Sequence, residues 1–187
     1  MDEELVVLAQ QGDERAFESL TLAHYTRLYR VAKSILRDLP AAEDATQQAF
    51  LDIWRYIRRL RDPSRFNGWS YRLLVHACYA EARRSKSAAG AVEASPEDIT
   101  APGDEYRSVV DRDQLERAFG RLSLDHRSVI VLRHLLGMTP DEVAEVLGIS
   151  REAVYSRLRR AVPALRSALE ADTRTPISGS TRQEVAR

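Results

Sequence analysis

The residues whose types and spacing suggest chemistry most clearly lie between Thr139 and Ala161, T-P-D-E-V-A-E-V-L-G-I-S-R-E-A-V-Y-S-R-L-R-R-A. From Arg151 to Arg166 the charged side chains are Arg151, Glu152, Arg157, Arg159, Arg160 and Arg166, one acid among six charges. A helix face that is only solvated usually mixes the two signs. Guanidiniums grouped with Tyr155 and Ser156 suit phosphate oxygens and base edges, which arginine meets through two parallel hydrogen bonds. The neighbouring residues supply the scaffold. Thr139 is an N-cap, Pro140 fits the first helical position, and Glu142 closes a T-x-x-E capping box. Gly148 stops that helix, because glycine takes the left-handed C-terminal conformation without a side-chain clash. Ser150 caps a second helix with Val154, Leu158 and Ala161 on its buried stripe. Two short helices, the second basic from its first turn, form the pattern of a helix-turn-helix whose second helix enters a DNA major groove.

Other reactive residues do not assemble into a site. His126 and His134 stand eight positions apart, too far for one metal-binding turn. His76 and Cys78 fall on different faces of a regular helix and cannot ligate together. No phosphate loop or dinucleotide fingerprint is present. The adjacent acids Glu43 and Asp44 sit at a helix start, where the helix dipole favours them. The chain is therefore expected not to be an enzyme and to need neither metal nor cofactor. Its single Cys78 rules out an internal disulfide and fits a reducing compartment. With an acidic M-D-E-E start and no apolar run of spanning length, a cytoplasmic protein without membrane insertion is expected.

The elements that position these residues all carry helical spacing, and no stretch alternates with period two, so the fold is expected to be all-α. A short helix over Asp2–Gln10 stops at Gly12. Asp13 caps a longer one with Phe17, Leu20, His24, Leu28, Val31 and Ile35 on one stripe. Pro40 marks the next start, and Ala41–Leu60 presents Ala45, Ala49, Phe50, Ile53, Trp54, Ile57 and Leu60 on a broad apolar face. Arg61–Asn67 reads as a loop, and a fourth helix runs to about Lys86 with Trp69, Tyr71 and Tyr79 along it. Ser87–Glu105 has the composition of a flexible linker, with two prolines, two glycines and no aromatic residue. Its 19 residues span at most ~60 Å, enough to join two modules more than one DNA turn (~34 Å) apart. A second module begins near Val109, with helices over Asp111–Arg121 and Asp125–Leu136 before the helix-turn-helix. Pro163 is expected to kink or restart the last helix, and Thr173–Arg187 reads as a polar, disordered tail.

Charge follows the same divisions. The net charge is zero, yet residues 88–114 carry seven acids against two bases while both ends are slightly basic. Phosphate neutralisation supplies most non-specific DNA affinity, so so small a positive excess implies weak DNA binding by the free chain and a partner that supplies the rest.

Two modules, an acidic linker and a C-terminal helix-turn-helix resemble a bacterial extracytoplasmic-function sigma factor of the sigma-70 family. D-E-E-L-V with Q-G-D-E-R-A-F-E-S-L resembles the family's opening, and A-A-E-D-A-T-Q-Q-A-F-L-D-I-W its polymerase-docking helix. R-F-N-G-W-S-Y-R-L-L followed by A-R-R-S-K resembles its promoter-opening segment, and M-T-P-D-E-V-A-E-V-L-G-I-S-R-E-A-V-Y-S-R-L-R-R-A its helix-turn-helix. The resemblance implies a region 2 domain over 1–87, an acidic linker over 88–108 and a region 4 domain over 109–172. It further implies that Asp44, Gln47, Gln48, Phe50 and Leu51 dock on the clamp coiled coil of the largest subunit of core RNA polymerase. Arg65, Phe66, Asn67, Trp69, Arg72, His76, Arg83 and Arg84 would read and open the −10 element of promoter DNA. Ser150, Arg151, Glu152, Tyr155, Ser156, Arg157, Arg159 and Arg160 would read the −35 element. An anti-sigma factor is the expected regulator. The chain departs from the family at Gln48, where an acid is usual, at Val75, His76 and Ala80, and at Tyr155, where Lys or Arg is usual. The rival reading from the residues alone is a helix-turn-helix regulator that binds DNA without polymerase.

Overall fold

The computed structural model describes residues 2–88 and 114–173, so nearly all of the expected linker and the expected tail lie outside the described residues. Among those described, the chain forms helices and turns and no strand. The first half comprises α1 (Asp2–Gln10), α2 (Glu14–Leu36), α3 (Leu39–Tyr56) and α4 (Phe66–Ala88). The second comprises α5 (residues 114–120), α6 (Leu124–Ile130), α7 (Pro140–Leu147) and α8 (Arg151–Thr173).

Local chemistry sets most boundaries. The Asp13 carboxylate accepts from the Arg15 and Ala16 amides at the start of α2, at 2.9 and 3.0 Å. Asp38 accepts from the Ala41 amide at 2.7 Å and, with Pro40, starts α3 two residues earlier than the spacing suggests. The α3 pattern does not run to Leu60: after Tyr56 the chain tightens into a 3₁₀ turn, Ile57–Arg59. Gln10 fastens that turn to α1 by donating to the carbonyls of Ile57 and Leu60, at 3.0 and 2.7 Å. The expected Arg61–Asn67 loop is also shorter. Asp62 accepts from the backbone and hydroxyl of Ser64, which starts a 3₁₀ turn at Pro63–Arg65 and lets α4 begin at Phe66. In the second half, the helix expected over Asp125–Leu136 is regular only to Ile130. Val131–Leu135 widens into a π-turn, closed by the Leu136 amide on the Val131 carbonyl at 3.1 Å.

Pro163 neither breaks nor restarts α8, which continues from Arg151 to Thr173. The proline removes the amide that would donate to the Arg159 carbonyl, but Arg159 and Pro163 both face solvent, where water can satisfy that carbonyl.

The cores of the two halves are continuous. Val6, Leu20, Leu28, Ile35, Ile53, Ile57, Leu74, Val129, Leu132, Val143, Val154 and Ala161 belong to one buried cluster. Each fully buried large aliphatic side chain contributes about 1.5–3 kcal/mol relative to exposure. Within the first half, α1 packs on α2, α2 on α3 and α3 on α4; within the second, α6 and α7 pack on α8. Between them, α7 rests on α4, while α6 and the π-turn rest on α2.

Candidate nucleic-acid interface

The helix-turn-helix is built as its caps require. Thr139 Oγ1 accepts from the Glu142 amide at 3.3 Å, and the Glu142 carboxylate accepts from the Thr139 amide at 2.7 Å. Gly148 takes φ +64°, the left-handed conformation that ends α7. Ser150 Oγ accepts from the Ala153 amide at 3.2 Å and opens α8. Val154 and Ala161 are fully buried and Leu158 is half-buried, which fixes the rotation of α8 about its axis.

That rotation sorts the −35 candidates. At 100° per residue, Arg151, Tyr155 and Arg159 fall within ~80° of one another, and all three are exposed. Ser150 and Glu152 are exposed beside them, and Ser156 is half-buried. Arg151 is already oriented: its Nη1 lies 3.4 Å from Asp141, its Nη2 donates to the Tyr155 hydroxyl at 3.4 Å, and its guanidinium carbon sits 5.7 Å from that ring's centre. The other two candidates leave this face. Arg160 points about half a turn away from Arg151. Arg157 lies on the far flank of the buried stripe and meets Asp125 of α6 at 3.3 Å.

The −10 candidates divide in the same way. Trp69, Arg72, His76 and Arg83 share a strip ~60° wide along α4; the three polar residues are exposed and Trp69 is half-buried. Asn67 is exposed at the start of the helix, outside this strip. Arg84 is exposed but paired with Glu81 one turn back. Arg65 stands near Asp62 and Glu145, at 3.9 and 3.8 Å, in contacts too exposed to hold it firmly. Phe66 is in the core at 2% exposure, edge-on to His24 with ring centres 5.2 Å apart, and offers no face to a base in this arrangement. Tyr71, at 1%, is equally buried beneath the Arg27 guanidinium.

On α3, Asp44, Gln47 and Leu51 form one exposed face, with Gln48 half-buried beside them. The Gln48 amide donates to Asp52 at 3.1 Å, so it is partly engaged within its own helix. Gln47, Phe50 and Leu51 line an open groove of about 530 Å³ against α2, together with Glu14, Phe17, Thr21, Tyr25 and Trp54. Phe17 tilts against Trp54 with centres 4.7 Å apart, and Phe50, Tyr25 and Tyr29 stack in nearly parallel steps of 6.1 Å. The sequence reading did not single out Phe17, Tyr25 and Trp54 for this groove. The available signal was the width of the α3 apolar face, which exceeds what one buried stripe uses. Among the described residues, no cluster of three His, Cys, Asp or Glu could hold a metal ion, and no helix is long and apolar enough to cross a membrane.

Comparison with known proteins agrees with this layout. The family model "Sigma-70 region 2" matches residues 20–88, and "Sigma-70, region 4" matches residues 112–165. The ECF RNA polymerase sigma factor SigM of Mycobacterium tuberculosis is 31% identical over 160 residues, covering 86% of this chain and 80% of that protein. The RNA polymerase sigma-H factor of Pseudomonas aeruginosa is 27% identical over 190 residues, covering 90% and 94%. CnrH, solved in complex with the cytosolic domain of CnrY, superposes with a TM-score of 0.65 at 29% identity, over 91% of this chain and 98% of that one. The chain belongs to the extracytoplasmic-function group of the sigma-70 family and is an alternative sigma factor that directs RNA polymerase.

Proposed function

We propose that this sigma factor divides its work among three surfaces. The groove between α2 and α3, with Asp44, Gln47 and Leu51 on its rim, takes the clamp coiled coil of the largest polymerase subunit. The α4 strip of Trp69, Arg72, His76 and Arg83 contacts the −10 element and holds strands apart there. Base stacking on an aromatic face and cations along the displaced backbone are what an opened duplex needs. The α8 face of Arg151, Tyr155 and Arg159 reads the −35 element from the major groove. Residues 1–87 and 109–172 are the two working domains and 88–108 the acidic connection between them. The factor acts in the cytoplasm and catalyses no reaction itself; its effect is to place polymerase.

The observation that supports this most directly is that two separate basic strips, on α4 and α8, stand exposed on a chain of zero net charge. A lone recognition module buries only ~600–1,000 Å² against DNA, so such a chain needs polymerase for tight binding. Run-off transcription with purified core polymerase tests it: initiation should depend on adding this protein and on both promoter elements. Nanomolar, sequence-specific binding by the free protein in a mobility shift would instead identify a regulator that works alone. That CnrH is seen in complex with the cytosolic domain of another protein, CnrY, supports a second part of the reading: a protein partner, here an anti-sigma factor, holds this chain inactive. Affinity purification from the native cell should recover one besides polymerase; recovery of polymerase alone would remove it.

A further inference from the structure

Asp125, in the first turn of α6, holds two other helices at once. Its Oδ1 accepts a hydrogen bond from the Tyr79 hydroxyl of α4 at 2.6 Å, and its Oδ2 lies 3.3 Å from Arg157 Nη2 of α8. Tyr79 and Asp125 are 46 positions apart and come from opposite sides of the acidic segment. The Arg157 side chain is 28% exposed, against 54% for Arg151 on the recognition face. Elsewhere along the junction, α7 rests on α4 and Arg65 reaches toward Glu145 of α7 at 3.8 Å.

A second feature of the same junction works against closure. Arg37, at the C-terminus of α2, lies against Gly120 at the end of α5: a Cβ added to that glycine would be 3.1 Å from Arg37 Nε. Arg127 of α6 donates to the Gly120 carbonyl at 3.3 Å, while its buried Nε has no acceptor. Two guanidiniums therefore approach each other where the halves meet. An interface with a charge-assisted clasp on one side and like charges on the other is suited to opening.

We propose that Asp125 is an internal clasp that keeps the free sigma factor closed, with α8 drawn toward α4, and that promoter phosphate replaces Asp125 as the partner of Arg157 when the factor opens. This inference rests on the reading of α4 and α8 as the two promoter-reading helices. In the closed form the Asp125 carboxylate holds Tyr79 of α4 and Arg157 of α8 together, whereas two promoter elements more than one DNA turn apart lie beyond ~34 Å. The closed form therefore cannot engage both. A carboxylate presents the same paired acceptor oxygens to a guanidinium as a phosphate does, so Arg157 can exchange one for the other.

The test is small-angle scattering of the full chain without polymerase or DNA, with circular dichroism to confirm helix content. Asp125→Ala should raise the radius of gyration about 1.1- to 1.3-fold over the parent, as expected when one compact body becomes two tethered ones. Tyr79→Phe, which keeps the ring in place and deletes only the hydroxyl, should raise it by a smaller amount. An unchanged radius in a fully helical Asp125→Ala overturns the clasp. If that variant loses helix, an unchanged radius in Tyr79→Phe overturns it instead. Run-off transcription keeps the two readings separate. A chain that expands but never supports initiation removes the promoter reading, and one that supports initiation without expanding removes only the clasp.

Discussion

At the scale of single residues, the proposed recognition face of α8 centres on the exposed Arg151, Tyr155 and Arg159. Contacts to Asp141 and Tyr155, each at 3.4 Å, bias Arg151 toward one geometry but, being exposed, do not fix it. Arg159 is exposed on the same face and free to take a phosphate. Arg159→Ala in the polymerase complex should weaken binding across promoters of different sequence and flatten the log–log salt slope by about one unit. An unaltered slope, from binding measured between low and moderate salt, would place Arg159 on a merely solvated face. His24 offers a different residue-level test. It is 5% exposed, and burial holds its imidazole below the ordinary 6.5, with Asp2 at 3.4 Å only partly opposing that shift. Folding thus favours the neutral ring. The resulting stabilisation is complete above pH 6.5 and is lost as the pH falls through the lowered folded value. Thermal melting followed from pH 7.5 to pH 5 should show this decline, and His24→Gln should flatten it.

At the scale of elements, what was legible in the sequence was whatever local chemistry determines. Asp13, the Thr139–Glu142 box, Gly148 and Ser150 each act within a few residues, and each behaves in the structure as its type requires. Gly148→Ala would force a Cβ into the left-handed region at φ +64° and should cost about 1–2 kcal/mol, read from denaturant midpoints at unchanged slope. Where the structure places a side chain differently from what its spacing suggests, a neighbour distant in sequence decides the placement. Phe66 has the type and position of a base-stacking residue, but His24 from α2 takes its edge and the core closes over it. Trp54 belongs by spacing to a buried face, yet α2 leaves it at the rim of a groove, 40% exposed. Arg157 and Arg159 look equivalent in sequence, and only the burial of Val154 and Ala161 turns one toward Asp125 and the other outward. The groove makes its own prediction. Asp44→Arg should impair assembly with core polymerase in gel filtration without changing the melting temperature, because Asp44 is exposed and leaves the α3 core untouched.

At the scale of the whole molecule, a net charge of zero and the proposed clasp point the same way: both would leave the free factor a weak DNA binder until its halves separate. Nothing in the local pattern around Tyr79 or Asp125 announces their contact, since a phenol half-way along one helix and an acid in the first turn of another are each ordinary. Their pairing nevertheless carries a pH signature. Tyr79 is held above its ordinary value of 10, first by burial and then by its hydrogen bond to Asp125. The closed form thus favours the protonated phenol, so this part of the clasp is fully present below pH 10 and is lost as the pH rises through the raised value. Scattering should accordingly report a constant radius from pH 7 to about 10 and expansion above it, in step with tyrosinate absorbance. Tyr79→Phe should lack that step, starting from its larger radius. Expansion already complete at pH 8 would assign the opening to some other group and detach it from this clasp.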